Sequence, residues 1–150
     1  MTNSQACVDA SLVLMLWLPG EHSGQAEALF TQWADESVSL ICPPLLFAEV
    51  PSALRAAVFF NRINHHEGER AFEAFCQLDI SISNRGDLHI LAWELAKEHR
   101  RPRIYDSMYL AVARAEGCQL WTGDLRLANA VGQPWVKWVG AQPVTQRRLC

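Results

Sequence analysis

Apolar positions along the chain fall into two rhythms: short unbroken runs, and longer stretches spaced three or four apart. The runs at 6–9, 38–42, 118–122 and 135–139 predict buried strands, and 78–83 alternates as a further strand. Between them, 12–18 predicts a first helix broken at Pro19-Gly20, and 23–36 a second with Ala26, Leu29, Phe30 and Trp33 inside. Pro43-Pro44 opens a third, since proline is tolerated in a first turn. A fourth, 64–77, presents Ala71, Phe72, Phe75 and Cys76; a fifth, 85–99, buries Leu88, Leu91, Ala92, Leu95 and Ala96. Asp106 opens a helix over 107–116 that Gly117 ends, and Asp124 opens another. Strands and helices alternate throughout, which predicts a three-layer α/β/α, Rossmann-like fold with a mainly parallel sheet.

The pattern leaves four acids in places that matter. Asp9 follows the first strand, Glu49 lies in the third helix, and Asp106 and Asp124 each stand at a helix start. Glu49 has Leu45, Leu46, Ser52, Ala53 and Ala56 on its own face, so its carboxylate is not on a solvated surface. Pro51 should kink that helix just beyond it and leave the Phe47 carbonyl without its partner. Asp106 and Asp124 read equally well as helix N-caps, Asp9 as a cap in competition with Ser11, and Glu49 as an acid near a positive helix end. Taken together these readings weaken. If the first and fourth strands are neighbours, Asp9 and Asp124 lie about 5 Å apart, and carboxylates that close need a proton or a cation between them. Oxygen ligands without histidine or thiolate favour Mg²⁺ or Mn²⁺.

Composition narrows the class. With 150 residues, half of them hydrophobic and 19% charged, the chain is read as a single domain, 1–150, with one core and no linker. A net charge of -3 opposes indiscriminate polyanion binding, yet permits a basic rim around an acidic site. Such a rim could come from Lys97, Arg100, Arg101 and Arg103, or from Arg126, near enough to Asp124 to touch a phosphate. The same basic segment reads equally as cations at a helix end. Cys7, Cys42, Cys76, Cys118 and Cys150 lack metal or disulfide spacing and are expected as reduced, buried thiols of a cytoplasmic protein. The five histidines are expected at the surface, and Trp17, Trp33 and Trp93 in packing. The run 11–18 is too short to span a bilayer, and neither a signal peptide nor an anchor is expected.

The strings VDASLVL, PPLLFAEVPSALRAA, YDSMYLAVARAEGCQLWTGD and LRLA resemble the PIN domain, in particular the VapC-type toxin ribonucleases of toxin–antitoxin pairs. The resemblance covers about residues 6–139 and leaves a short tail, 141–150, ending in Arg147-Arg148-Leu149-Cys150. It implies a five-stranded sheet of order 3-2-1-4-5, Mg²⁺-dependent endoribonuclease activity, a homodimer, and a cognate antitoxin that blocks the site. By motif the acidic quartet falls on Asp9, Glu49, Asp106 and Asp124. Asp9, Asp106 and Asp124 are the expected metal ligands, and Glu49 either a ligand through water or the group that orients the attacking water. Ser11 and Thr122 match hydroxyl positions beside the metal. Departures are Ser52 where asparagine is common, Pro51 inside the helix, and Gly123 in a place often held by alanine. Two alternatives remain at this point. One is a receiver-like signalling domain, with Lys137 on the last strand but no acidic pair after the first. The other is a catalytically weak binding module.

Overall fold

The computed structural model describes residues 4–143; the tail residues Arg147, Arg148, Leu149 and Cys150 lie outside the described residues. Five parallel strands, β1 (Gln5–Val8), β2 (Ser39–Cys42), β3 (Ser81–Ile82), β4 (Gln119–Thr122) and β5 (Val136–Trp138), form one sheet of order β3-β2-β1-β4-β5. Among the described residues seven α-helices connect them: α1 (Ala10–Leu14), α2 (Ser23–Asp35), α3 (Leu46–Phe59), α4 (His65–Gln77), α5 (Leu88–Glu98), α6 (Tyr105–Glu116) and α7 (Leu125–Val131). β1 is the middle strand, pairing Ala6 with Leu40 on one side and with Gln119 on the other. Ala6, Cys7 and Val8 are buried, as a parallel strand covered on both faces requires. Successive strands leave β1 first toward β2 and later toward β4, so the order reverses between β1 and β4. That reversal opens a crevice at their carboxyl ends, where ligands collect in open α/β sheets. A receiver-like sheet has the order 2-1-3-4-5, so the observed order removes that alternative.

Several boundaries move for local reasons. Asp9 caps α1, so the helix starts at Ala10 and not at residue 12. It ends at Leu14 because the amides of Met15, Leu16 and Trp17 turn back three residues to Leu12, Val13 and Leu14, tightening the chain ahead of Pro19. Pro43 and Pro44 sit in a tight turn ahead of α3, whose first bonds also close over three residues. α6 begins at Tyr105, which puts Asp106 inside its first turn. The third strand shrinks to Ser81–Ile82, both exposed, since this sheet edge pairs only with β2. Gly117 ends α6 at φ 65°, with the Cys118 amide reaching back to the Ala113 carbonyl, as its position predicts.

Side-chain placement corrects four expectations. Phe72 and Cys76 lie on the outer side of α4, and Trp93 stands 60% exposed on α5. Each falls at a helical spacing that also suits the flank of an apolar stripe. Cys7 and Cys42 are buried, but Cys118 is only partly so. Trp33 does pack inside, edge-on to Trp121. Among the described residues no helix is long and apolar enough to cross a membrane.

Candidate functional site

Asp9 leaves β1 at the reversal, its amide bonded to the Trp121 carbonyl of β4 at 3.3 Å. Its Oδ1 accepts from the Leu12 amide at 2.9 Å and from Ser11 Oγ at 2.7 Å; its Oδ2 accepts from Thr122 Oγ1. Thr122 is fully buried, and its oxygen accepts from the Asp124 amide at 2.9 Å; Ser11 Oγ accepts from the Gly123 amide at 3.0 Å. Both hydroxyl protons are therefore spent on Asp9. The 3.3 Å approach between the two hydroxyls is left as a contact enforced by their common acceptor. Burial pushes the Asp9 carboxyl up to about 6, against the pull of Thr122, the Leu12 amide and Ser11, and the charge of Asp106 raises it further.

Gly123 permits this closeness. A Cβ there would run into the end of Met15 and come 3.1 Å from the Ser11 carbonyl, so even an alanine would require the Met15 side chain to move.

The other acids reach the same place from separate elements. Glu49, half-buried on α3, accepts from Tyr109 Oη at 2.6 Å. Burial, then the Glu49 carboxylate, raise the Tyr109 phenol well above its ordinary range and keep it a donor. Asp106 accepts no capping amide; its Oδ2 lies 3.3 Å from Arg101 Nη2. Asp124 does cap α7, accepting from the amides of Arg126 at 2.9 Å and Leu127 at 3.4 Å. The cap readings thus hold for Asp9 and Asp124 and fail for Asp106.

Asp9, Glu49, Asp106 and Asp124 line one cavity of about 250 Å³, together with Ser11, Tyr109 and the apolar Ala10, Leu14 and Ala53. A larger concavity, about 910 Å³, lies elsewhere, at the amino ends of β1 and β4, with Arg114 and Glu116 as its charged lining. Its size carries less weight than the convergence of four acids at the carboxyl ends. As placed, no three acidic, histidine or cysteine side chains among the described residues stand close enough together to hold an ion. Each acid is instead engaged by the chain itself: Asp9 by three donors, Glu49 by Tyr109, Asp106 by Arg101, Asp124 by two amides.

The basic segment 97–103 divides. Lys97 pairs with Glu94 at 3.0 Å, Arg100 and Arg103 are exposed, and Arg101 turns inward, its Nε buried without a partner. Arg126 is exposed at the start of α7, and no histidine lines the cavity. Sequence reasoning missed Tyr109 and the Arg101–Asp106 pair. Tyr109 was visible in principle, three residues beyond Asp106 and therefore on its helix face.

The PIN domain family profile matches residues 6–132. The chain is 38% identical to ribonuclease VapC1 of Mycobacterium tuberculosis over 100 residues, 66% of this chain and 72% of that protein. It is 31% identical to ribonuclease VapC9 of the same organism over 122 residues, 81% of this chain and 87% of that protein. Its fold is similar to that of a chain in a toxin–antitoxin complex from Klebsiella pneumoniae, with a TM-score of 0.61 at 19% identity. That match covers 89% of this chain and 97% of the other.

Proposed function

The chain belongs to the PIN domain family, and on that premise we propose that it is the toxin of a type II toxin–antitoxin pair, a cytoplasmic endoribonuclease that hydrolyses RNA phosphodiester bonds. The observation that carries this reading is the single cavity at the β1/β4 reversal, lined by Asp9, Glu49, Asp106 and Asp124 from four separate elements. Its donor set is oxygen only, which fits a hard divalent cation such as Mg²⁺ or Mn²⁺, and the buried, unbalanced Asp9 carboxylate favours a cation. Asp9, Asp106 and Asp124 would hold it, after side-chain turns that bring them closer together than they stand as placed. What such a cation supplies when bound is positive charge beside the phosphate and a water of lowered pKa.

The chain's own residues do the rest. Ser11, Thr122 and the Leu12 amide hold Asp9 in one orientation, so little freedom is lost when it takes a ligand. Asp106 must let go of Arg101 to take the cation, which frees that guanidinium, beside Asp106, for a phosphate oxygen. Glu49 has one oxygen bound to Tyr109 and the other left to orient the attacking water. Arg126, exposed beside Asp124, suits a phosphate contact at the rim.

The antitoxin partner is supported by the VapC relatives and by the Klebsiella complex. A homodimer is supported by the exposed pair Phe59 and Phe60 at the end of α3, their rings stacked edge to face at 5.1 Å. The test is expression of the chain alone and together with the product of a small open reading frame adjoining its gene. Alone it should arrest growth with RNA cut, and with its neighbour it should be harmless and co-purify. Normal growth with intact RNA on expression alone would contradict the proposal.

A further inference from the structure

Among the described residues, α3 makes one side-chain hydrogen bond to another element, from Tyr109 Oη to Glu49 Oε1 at 2.6 Å. Tyr109 is 1% exposed, walled in on the inner side of α6 and three residues beyond Asp106. Glu49 is only half-buried, and its same-face neighbours toward the carboxyl end of the helix are small: Ser52, Ala53 and Ala56. Beyond it the acidic cavity continues into a more open groove along α3 that Leu45 and Tyr105 also line, and among the described residues Tyr109 is the one hydrogen-bond partner that holds the side chain. A glutamate in such a place has three rotatable bonds and water on one side. Released, it would spread over several rotamers.

We infer that Tyr109 is a positioning residue for Glu49: its buried hydroxyl holds the carboxylate in the acidic cavity and decides which of its two oxygens meets the attacking water. The inference rests on the nuclease reading above. The division of labour is chemical. A buried phenol offers one donor in a fixed direction, so it occupies one carboxylate oxygen and leaves the second unspent. A lysine or arginine in its place would neutralise the charge that the water needs. The hydroxyl also ties α3 to α6 and thereby sets Glu49 against Asp106, which shares α6 with Tyr109.

Tyr109→Phe removes the hydroxyl and keeps the buried ring, so the fold should survive. On an unpaired RNA oligonucleotide with Mg²⁺, loss of this charged hydrogen bond should lower kcat about tenfold or more while KM stays unchanged. The crystal structure of the variant should show Glu49 turned out of the cavity or divided among rotamers. In a Glu49→Ala background, the same change should slow the reaction no further. Wild-type kcat in Tyr109→Phe, Glu49 still seated in its crystal structure, or an added loss on top of Glu49→Ala would each overturn the inference. Those results in an enzyme that cuts RNA leave the nuclease reading standing. A wild-type protein that fails to cut RNA overturns both.

Discussion

Asp9 holds a carboxyl that titrates at about 6 where an unconstrained aspartate titrates at 3.8, and burial is the main cause. The raised value means that the folded protein binds a proton more readily than the unfolded chain. Stability from this group is therefore complete below pH 3.8 and is lost as pH rises through 6. At pH 7 the loss amounts to about 3 kcal/mol at most. Asp9→Asn keeps an acceptor for Leu12 and Ser11, and offers Thr122 a donor that its hydroxyl oxygen accepts. The variant should melt higher than wild type in the absence of divalent ions at pH 7, and the gap should close toward pH 4. Added Mg²⁺ should then raise the wild-type melting temperature and leave the variant's unchanged. Melting curves over pH 4–8, with and without Mg²⁺, check both statements. A variant less stable than wild type at every pH would show that the three hydrogen bonds outweigh the charge.

At the scale of elements, α3 and α4 carry two opposite predictions. α3 runs from Leu46 to Phe59 through Pro51, which has no amide for the Phe47 carbonyl. The helix should bend there. Pro51→Ala should restore the bond and raise stability by about 1 kcal/mol or more, read from denaturant unfolding. Gly68 on α4 is buried, and a Cβ there would overlap Val58 Cγ2 on α3. Val58 is β-branched and cannot swing aside, so Gly68→Ala should destabilise by about 1–3 kcal/mol despite the better helix propensity of alanine. The sequence could not reveal this contact, because Gly68 on an otherwise polar stretch gives no sign of the neighbour across from it. The elements themselves were legible where their residues agree with their surroundings. β1 and β4 are apolar runs, and Gly117 ends a helix in the left-handed conformation. β3 was legible only in part, because an exposed edge strand places little demand on its side chains. Trp93 and Phe72 were misplaced for a related reason: periodicity marks the centre of an apolar stripe better than its borders.

Across the whole molecule, the sheet order decides what the acids can do. Asp9 follows β1 and Thr122 ends the adjacent β4, Asp124 follows two residues after Thr122, and α6 delivers Asp106 and Tyr109 to the same end. The quartet was readable from chain order and motif, since each acid stands where a strand ends or a helix turns toward that end. The polar contacts that hold the acids apart were not readable. Arg101–Asp106 and Tyr109–Glu49 depend on how α5, α6 and α3 are packed, and packing leaves no periodic mark. The proposed homodimer would use the exposed Phe59 and Phe60 at the end of α3. Light scattering at micromolar concentration should find a dimer, and Phe59→Ser with Phe60→Ser should shift it to monomer; an unaltered dimer would place the interface elsewhere. The central claim, that the carboxylates work by holding a cation at a phosphodiester, is tested most directly by RNA cleavage with purified wild type, Asp9→Asn, Asp106→Asn and Asp124→Asn. Wild type should cut with Mg²⁺ or Mn²⁺, poorly with Ca²⁺ and not with EDTA, and all three folded variants should be inactive, although asparagine caps a helix about as well as aspartate. Cleavage that persists in EDTA, or wild-type rates in all three variants, would contradict it.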